Sequence, residues 1–246
     1  MKIDNVLISQ PAPQNNSPYS DIISKYGVNI DFFPFFKVEP LTAKEFRLQK
    51  INILDFTAIV FTAKTTIDAF FKLCEELRIT VPETMKYFCN SEATAVYLQK
   101  HIVYRKRKIF FGSGSAQSII DLIGAKHKEE KFLIATADNG GGADINKLFG
   151  KTKFKHESAA FIKTIYSNLN ELDFSKYQMA VFYSPSDVKS LLENYPDFKQ
   201  DNLKIATFGP ATAKAVCDAG LEAIINAPTP QAPSIAKALQ LYFDEK

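Results

Sequence analysis

Four short segments of this chain carry residue types that hold anions without a strongly basic surface. Ser184-Pro185-Ser186-Asp187 and Gly209-Pro210-Ala211-Thr212 each follow an apolar run and open a stretch with helical spacing. Proline suits a first helical turn, where its missing N–H is no loss. Ser184 and Ser186 are good N-cap types. Gly209 lets a ligand approach the backbone closely, and Thr212 offers a hydroxyl. Thr62-Ala63-Lys64-Thr65 and Asn90-Ser91-Glu92-Ala93-Thr94 occupy equivalent places earlier in the chain. Helix starts present free N–H groups and a partial positive charge, and Lys64 adds a full one. Ordinary helix capping accounts for the same residues, so an anion cradle and a plain cap both remain open at this point.

Other chemistries find less support. Gly112-Ser113-Gly114-Ser115 and Asn139-Gly140-Gly141-Gly142 are glycine-rich, but no Gly-Lys-Ser/Thr follows and neither is a dinucleotide fingerprint. They read as tight turns. His101, His127 and His156 are isolated, and no metal-ligand spacing or Ser–His–Asp order stands out. Cys74, Cys89 and Cys217 lack any C-x-x-C pair, which argues against zinc or a disulfide framework and for buried thiols. Arg105-Lys106-Arg107-Lys108 is the one basic run. It reads as a charge-protected edge strand, with an acidic-ligand or nucleic-acid patch as the alternative. A net charge of +3 over 246 residues gives no case for a nucleic-acid partner. No apolar run reaches the ~18 residues of a membrane span, and Met1 to Gln10 lacks the order of a signal peptide. The expectation is a cytoplasmic protein that neither binds nucleic acid nor enters a membrane.

The elements that must position these turns alternate along the chain. Strand-like runs occur at 6–8, 28–33, 58–61, 86–89, 108–111, 132–135, 154–156, 179–183, 203–208 and 223–225. Helical spacing lies between most of them, as in Thr65 to Leu77. That alternation predicts parallel sheets with helices on both faces. Ten strands are many for one open sheet, so two sheets of about five are preferred. An internal repeat agrees: Ala58-Ile59-Val60-Phe61 resembles Met179-Ala180-Val181-Phe182, and Ala93-Thr94-Ala95 resembles Ala211-Thr212-Ala213.

Only one strand–helix–strand unit precedes the extended Phe32 to Pro40 stretch, too little to stand alone. The expected organisation is therefore a discontinuous first domain, 1–34 with 166–246, and an inserted second domain, 40–159. Connectors at 35–39 and 160–165 join them.

Phe182-Tyr183-Ser184-Pro185-Ser186, Phe208-Gly209-Pro210-Ala211-Thr212-Ala213 and Ala227-Pro228-Thr229-Pro230-Gln231-Ala232-Pro233-Ser234 come in this order. Together they resemble the uroporphyrinogen-III synthase family. Val6 to Pro11, Ile59 to Ala63 and Ser91 to Ala95 extend the resemblance over nearly the whole chain, more weakly in the middle. It implies two similar α/β domains, each a five-stranded parallel sheet with helices on both faces, joined by a two-stranded connector. It implies a monomeric cytoplasmic enzyme of tetrapyrrole synthesis with no metal and no organic cofactor. The implied reaction closes hydroxymethylbilane into uroporphyrinogen III, losing water and inverting ring D. The substrate is a linear tetrapyrrole whose eight carboxylates are ionised at neutral pH.

Carried over by position, Ser184, Ser186, Gly209, Ala211 and Thr212 would line the first-domain side of the substrate cleft. Thr62, Ala63, Ser91 and Thr94 would line the second-domain side, where Lys64, read from its own charge, is a further substrate-binding candidate. Two departures matter. Ile162 stands where the family often has a tyrosine thought to assist the leaving group, and Tyr166, four residues on, is the substitute candidate. Ala63 and Ala211 stand where hydroxyl residues are common. These departures support a rival reading, a non-catalytic two-domain protein that binds an anionic metabolite.

Overall fold

Strands form where short apolar runs are bounded by polar turns, and helices where apolar residues recur every three or four positions. The computed structural model describes residues 2–14, 17–103, 107–139 and 143–245. The chain opens with β1 (Asn5–Ile8), α1 (Ser20–Tyr26) and β2 (Asn29–Phe32), followed by β3 (Phe36–Pro40) and α2 (Ala43–Arg47). Then come β4 (Ala58–Phe61), α3 (Lys64–Glu76), β5 (Lys86–Cys89), α4 (Glu92–Leu98), β6 (Ile109–Phe111) and α5 (Ala116–Ile123). Next are β7 (Lys131–Ala137), α6 (Ala143–Gly150) and the long β8 (Lys155–Tyr166). The last part is β9 (Met179–Phe182), α7 (Pro185–Asn194), β10 (Lys204–Phe208), α8 (Pro210–Asp218), β11 (Ala223–Ala227) and α9 (Ile235–Asp244).

The chain divides into two compact units, residues 1–37 with 165–246 and residues 38–164. The first holds a five-stranded sheet in the order β11-β10-β9-β1-β2, parallel throughout. The second holds a six-stranded sheet in the order β3-β8-β7-β4-β5-β6, parallel from β8 to β6. β4 and β9, the two copies of the repeat, are buried at every residue and central in their sheets. Period-two alternation shares each between two cores. Ile59 and Phe61 pack on one face with Phe70 and Phe161; Ala58 and Val60 pack on the other with Phe88 and Phe132. Met179 and Val181 join Ile22 and Leu239, while Ala180 and Phe182 join Phe35 and Leu191.

The sixth strand differs from the five expected. β3 pairs with β8: Leu41 N–H donates to Phe161 O and Ser167 N–H to Phe35 O, both at 2.9 Å. The two bonds advance in opposite directions along the chain, so the pair is antiparallel. The expected short strand at 154–156 and the connector at 160–165 are one continuous strand. The described part of the basic run is not an edge strand. Arg105 and Lys106 lie outside the described residues, while Arg107 and Lys108 form a turn ahead of β6, which is the edge. Of the Asn139–Gly142 turn, the three glycines lie outside the described residues. Cys217 is exposed rather than buried, because Thr212 and Val216 carry the inward stripe of α8. Cys74 and Cys89 are buried, and burial pushes both thiols up to about 12. Among the described residues no helix is long and apolar enough to cross a membrane.

Candidate active site

In an open parallel sheet the ligand crevice forms where the chain departs in opposite directions from two adjacent strands. In the first unit these strands are β1, which leads through α1 to β2, and β9, which leads through α7 to β10. Ser9 follows β1 and is held there by its N–H, which donates to Val181 O at 3.1 Å. Tyr183 and Ser184 follow β9. Asp187, at the third position of α7, turns back on this corner. Its Oδ2 accepts from the N–H groups of Tyr183 and Ser184, each at 2.8 Å.

Asp187 is 1% exposed, and among the described residues its other carboxyl oxygen has no hydrogen-bond partner. The buried hydroxyls of Ser9 and Ser184 have none there either. Burial drives the Asp187 pKa up to about 6, against the opposing pull of the two backbone N–H groups and, more weakly, of the Ser9 and Ser184 hydroxyls. Both hydroxyls therefore lie near the carboxyl without reaching hydrogen-bond geometry with it. Across the same crevice Tyr19, which precedes α1, hydrogen-bonds hydroxyl to hydroxyl with Tyr183. Tyr19 is buried and packs on Phe32; Tyr183 is half-buried and packs on Phe208.

The neighbouring turn needs its glycine. Gly209 sits at φ +89°, a conformation L side chains rarely adopt, and donates to Ala227 O at 2.6 Å. Ala211 is exposed on the first turn of α8, whereas Thr212 is 2% exposed and packs inward. Ser186 is half-buried in the first turn of α7. Before α9, Ser234 accepts from Lys237 N–H at 3.2 Å, and the Ala227–Pro228 peptide is cis.

The second unit reverses direction between β4 and β7. Thr62 and Ala63 follow β4 and are half-buried; Ala63 is the N-cap of α3 and cannot cap with its side chain. Lys64 is exposed, its ammonium 5.4 Å from the Tyr97 ring centre. Ser91 accepts from Thr94 N–H at 3.4 Å, and buried Thr94 donates to Asn90 Oδ1 at 3.0 Å. These hydroxyls already serve the start of α4. Ile162 is 7% exposed within the apolar core, and Tyr166 ends β8, half-buried.

So each unit gathers its own candidates at the carboxyl edge of its sheet. Tyr19, Ser9 and the buried role of Asp187 do not show in the motifs. Asp187 had a signal, since Ser184 and an acidic residue three positions later have capping-box spacing. The Tyr19–Tyr183 pair had none, because it closes over 164 residues of sequence. A second cluster has no motif either: Asp68 accepts from the Tyr97 hydroxyl at 2.6 Å and sits 2.8 Å from His101 Nε2. Among the described residues no group of three or more His, Cys, Asp or Glu side chains is set to hold a metal ion.

Two α/β units with mainly parallel sheets, one inserted in the other and each with helix starts gathered at a carboxyl edge, define a two-domain α/β class of protein. The particular family follows from sequence: the model described as uroporphyrinogen-III synthase HemD matches residues 17–237, and the chain belongs to that family. It is accordingly a lyase of tetrapyrrole synthesis. The fold is shared with a mutant uroporphyrinogen III synthase from the extremely thermophilic bacterium Thermus thermophilus, at TM-score 0.60 and 13% identity over 97% of both chains. Another structure of the Thermus thermophilus enzyme aligns at TM-score 0.46, with 13% identity over 98% of both chains. No curated protein sequence matches the chain.

Proposed function

We propose that the chain closes hydroxymethylbilane to uroporphyrinogen III, with loss of water and inversion of ring D. The observation that carries this reading is the family match over residues 17–237. Physical chemistry adds a reason. Eight carboxylates need many donors, and the starts of α3, α7, α8 and α9 offer backbone N–H groups at sheet edges. Ser184, Ser186, Gly209, Ala211 and Thr212 in one unit, and Thr62, Ala63, Lys64, Ser91 and Thr94 in the other, are the proposed contacts. Pyrroles react readily on their own, so the catalyst's main work is orientation and delivery of a proton to the departing hydroxyl. The same reading makes the protein a cytoplasmic monomer that needs neither metal nor organic cofactor.

The buried Ile162 favours one rival, a binding protein without turnover, because it has no proton to give. A coupled assay separates the two. Hydroxymethylbilane is generated in situ with and without the protein, and the oxidised porphyrins are resolved by isomer. Isomer III only when the protein is present supports the synthase. Isomer I in both, with folded protein, rejects it.

A further inference from the structure

We propose that Tyr183 is the acid that protonates the leaving hydroxyl, with Tyr19 as the positioning residue that holds it ready. This rests on the synthase reading above. Three observations carry it. Tyr183 stands on the first residue after β9, at the point where the first sheet reverses direction and a ligand crevice must open. Its backbone is pinned there by Asp187, whose carboxyl takes the N–H groups of both Tyr183 and Ser184. Its hydroxyl meets that of Tyr19, which comes from the other wall of the crevice and is buried.

The pair has the right polarity. Tyr19 donates and Tyr183 accepts when Tyr183 carries charge, so the Tyr19 hydroxyl draws the Tyr183 pKa down while burial raises it. Burial also raises Tyr19, which remains a neutral donor. Tyr183 is half-buried, and Phe208 packs beside it with ring centres 5.7 Å apart and planes tilted by 37°, which gives a pyrrole aromatic neighbours at this corner.

The step balances. Tyr183 O–H gives its proton to the substrate hydroxyl; the carbon–oxygen bond breaks, and its electron pair leaves with the oxygen as water. The substrate becomes an azafulvenium cation. Tyr183 becomes a phenolate that accepts the Tyr19 hydrogen bond. After ring closure the last pyrrole regains aromaticity by releasing a carbon-bound proton, which returns to Tyr183. No oxidant or reductant enters.

The test uses the full chain in the isomer-resolved assay. Tyr183→Phe should lower kcat by about 100-fold or more with little change in KM, the usual worth of a general acid. Tyr19→Phe should cost about 10-fold, the loss of one hydrogen bond to an ionised group. A pH profile distinguishes chemistry from packing. Fluorinated tyrosine placed at 183 has the same shape and a more acidic phenol, so the alkaline limb of kcat should move to lower pH. Tyr19→Phe should move it the other way. Full kcat in Tyr183→Phe, or an unmoved limb with fluorotyrosine, overturns the proposal while wild type still forms isomer III. Wild type forming only isomer I overturns the synthase reading and the acid role together.

Discussion

Asp187 holds its proton more tightly in the folded chain than in the unfolded one, because folding removes its carboxyl from water. Between about pH 4 and pH 6 the native state therefore binds more protons. The contribution of Asp187 to stability therefore falls as pH rises through that window, with the loss complete above about 6 and worth on the order of 2–3 kcal/mol. Asp187→Asn should abolish this slope. Its amide oxygen keeps the two backbone donors, and its NH2 faces the unpartnered Ser9 and Ser184 oxygens. Urea unfolding at pH 4.5 and 7.5 measures both proteins; an equal slope in the variant would assign the pH dependence elsewhere. Ser184→Ala is expected to cost no more than about 1 kcal/mol of stability, since Ser184 caps α7 in a capping box with Asp187 but its hydroxyl makes no well-formed hydrogen bond among the described residues. Turnover should drop by less than about 100-fold if many weak contacts share the substrate. Steady-state kinetics decides it, and complete inactivity of folded protein would contradict the shared load. Sequence inspection reaches the turns because serine, glycine and proline mark them. It does not say which hydroxyls are already spent on the fold, as Thr94 is on Asn90, nor that Tyr19 meets Tyr183.

A single side chain can hold an element in place. Gln49 donates to Ala160 O and accepts from Ala160 N–H, both at 2.8 Å, so its amide stands in for a neighbouring strand beside β8. Gln49→Ala leaves both backbone groups unpaired and should cost about 1–3 kcal/mol. Amide hydrogen exchange at Ala160 should accelerate with it; unchanged protection there would show that water replaces the glutamine at no cost. Gly209→Ala should destabilise by roughly 1–3 kcal/mol, read as a lower urea midpoint. The space at that position is open, and only the backbone conformation resists. The central strands β4 and β9 were legible because four consecutive apolar residues between polar turns have few other uses. β8 was not. Lys155 to Tyr166 mixes charged, polar and apolar residues, since part of it flanks the core and part carries the chain between units. Its pairing with β3 depends on a long-range register that local composition does not encode.

Both units share one spatial strand pattern reached by different chain routes. β8-β7-β4-β5-β6 in the second matches β2-β1-β9-β10-β11 in the first, with β4 equivalent to β9. In the second unit these strands follow one another without interruption. In the first, the two opening strands lie at the start of the chain and the other three near its end. The hydrophobic clusters respect this division: each is complete within residues 38–164 or within the remainder. Residues 38–164 expressed alone should therefore unfold cooperatively on heating, and a broad, featureless calorimetric trace would contradict that. The ends of the remainder, Lys37 and Ile165, face each other across the β3–β8 ladder. Opposed residues in such a ladder are about 5 Å apart, so a short turn should join them. The insertion also fixes the order of mechanical failure. Tension applied to the two chain ends is borne first by the outer unit, and residues 38–164 are shielded from load until that unit has been pulled apart. A single molecule stretched from its termini should lengthen in two steps, the outer unit always yielding first, however weak the inner one is.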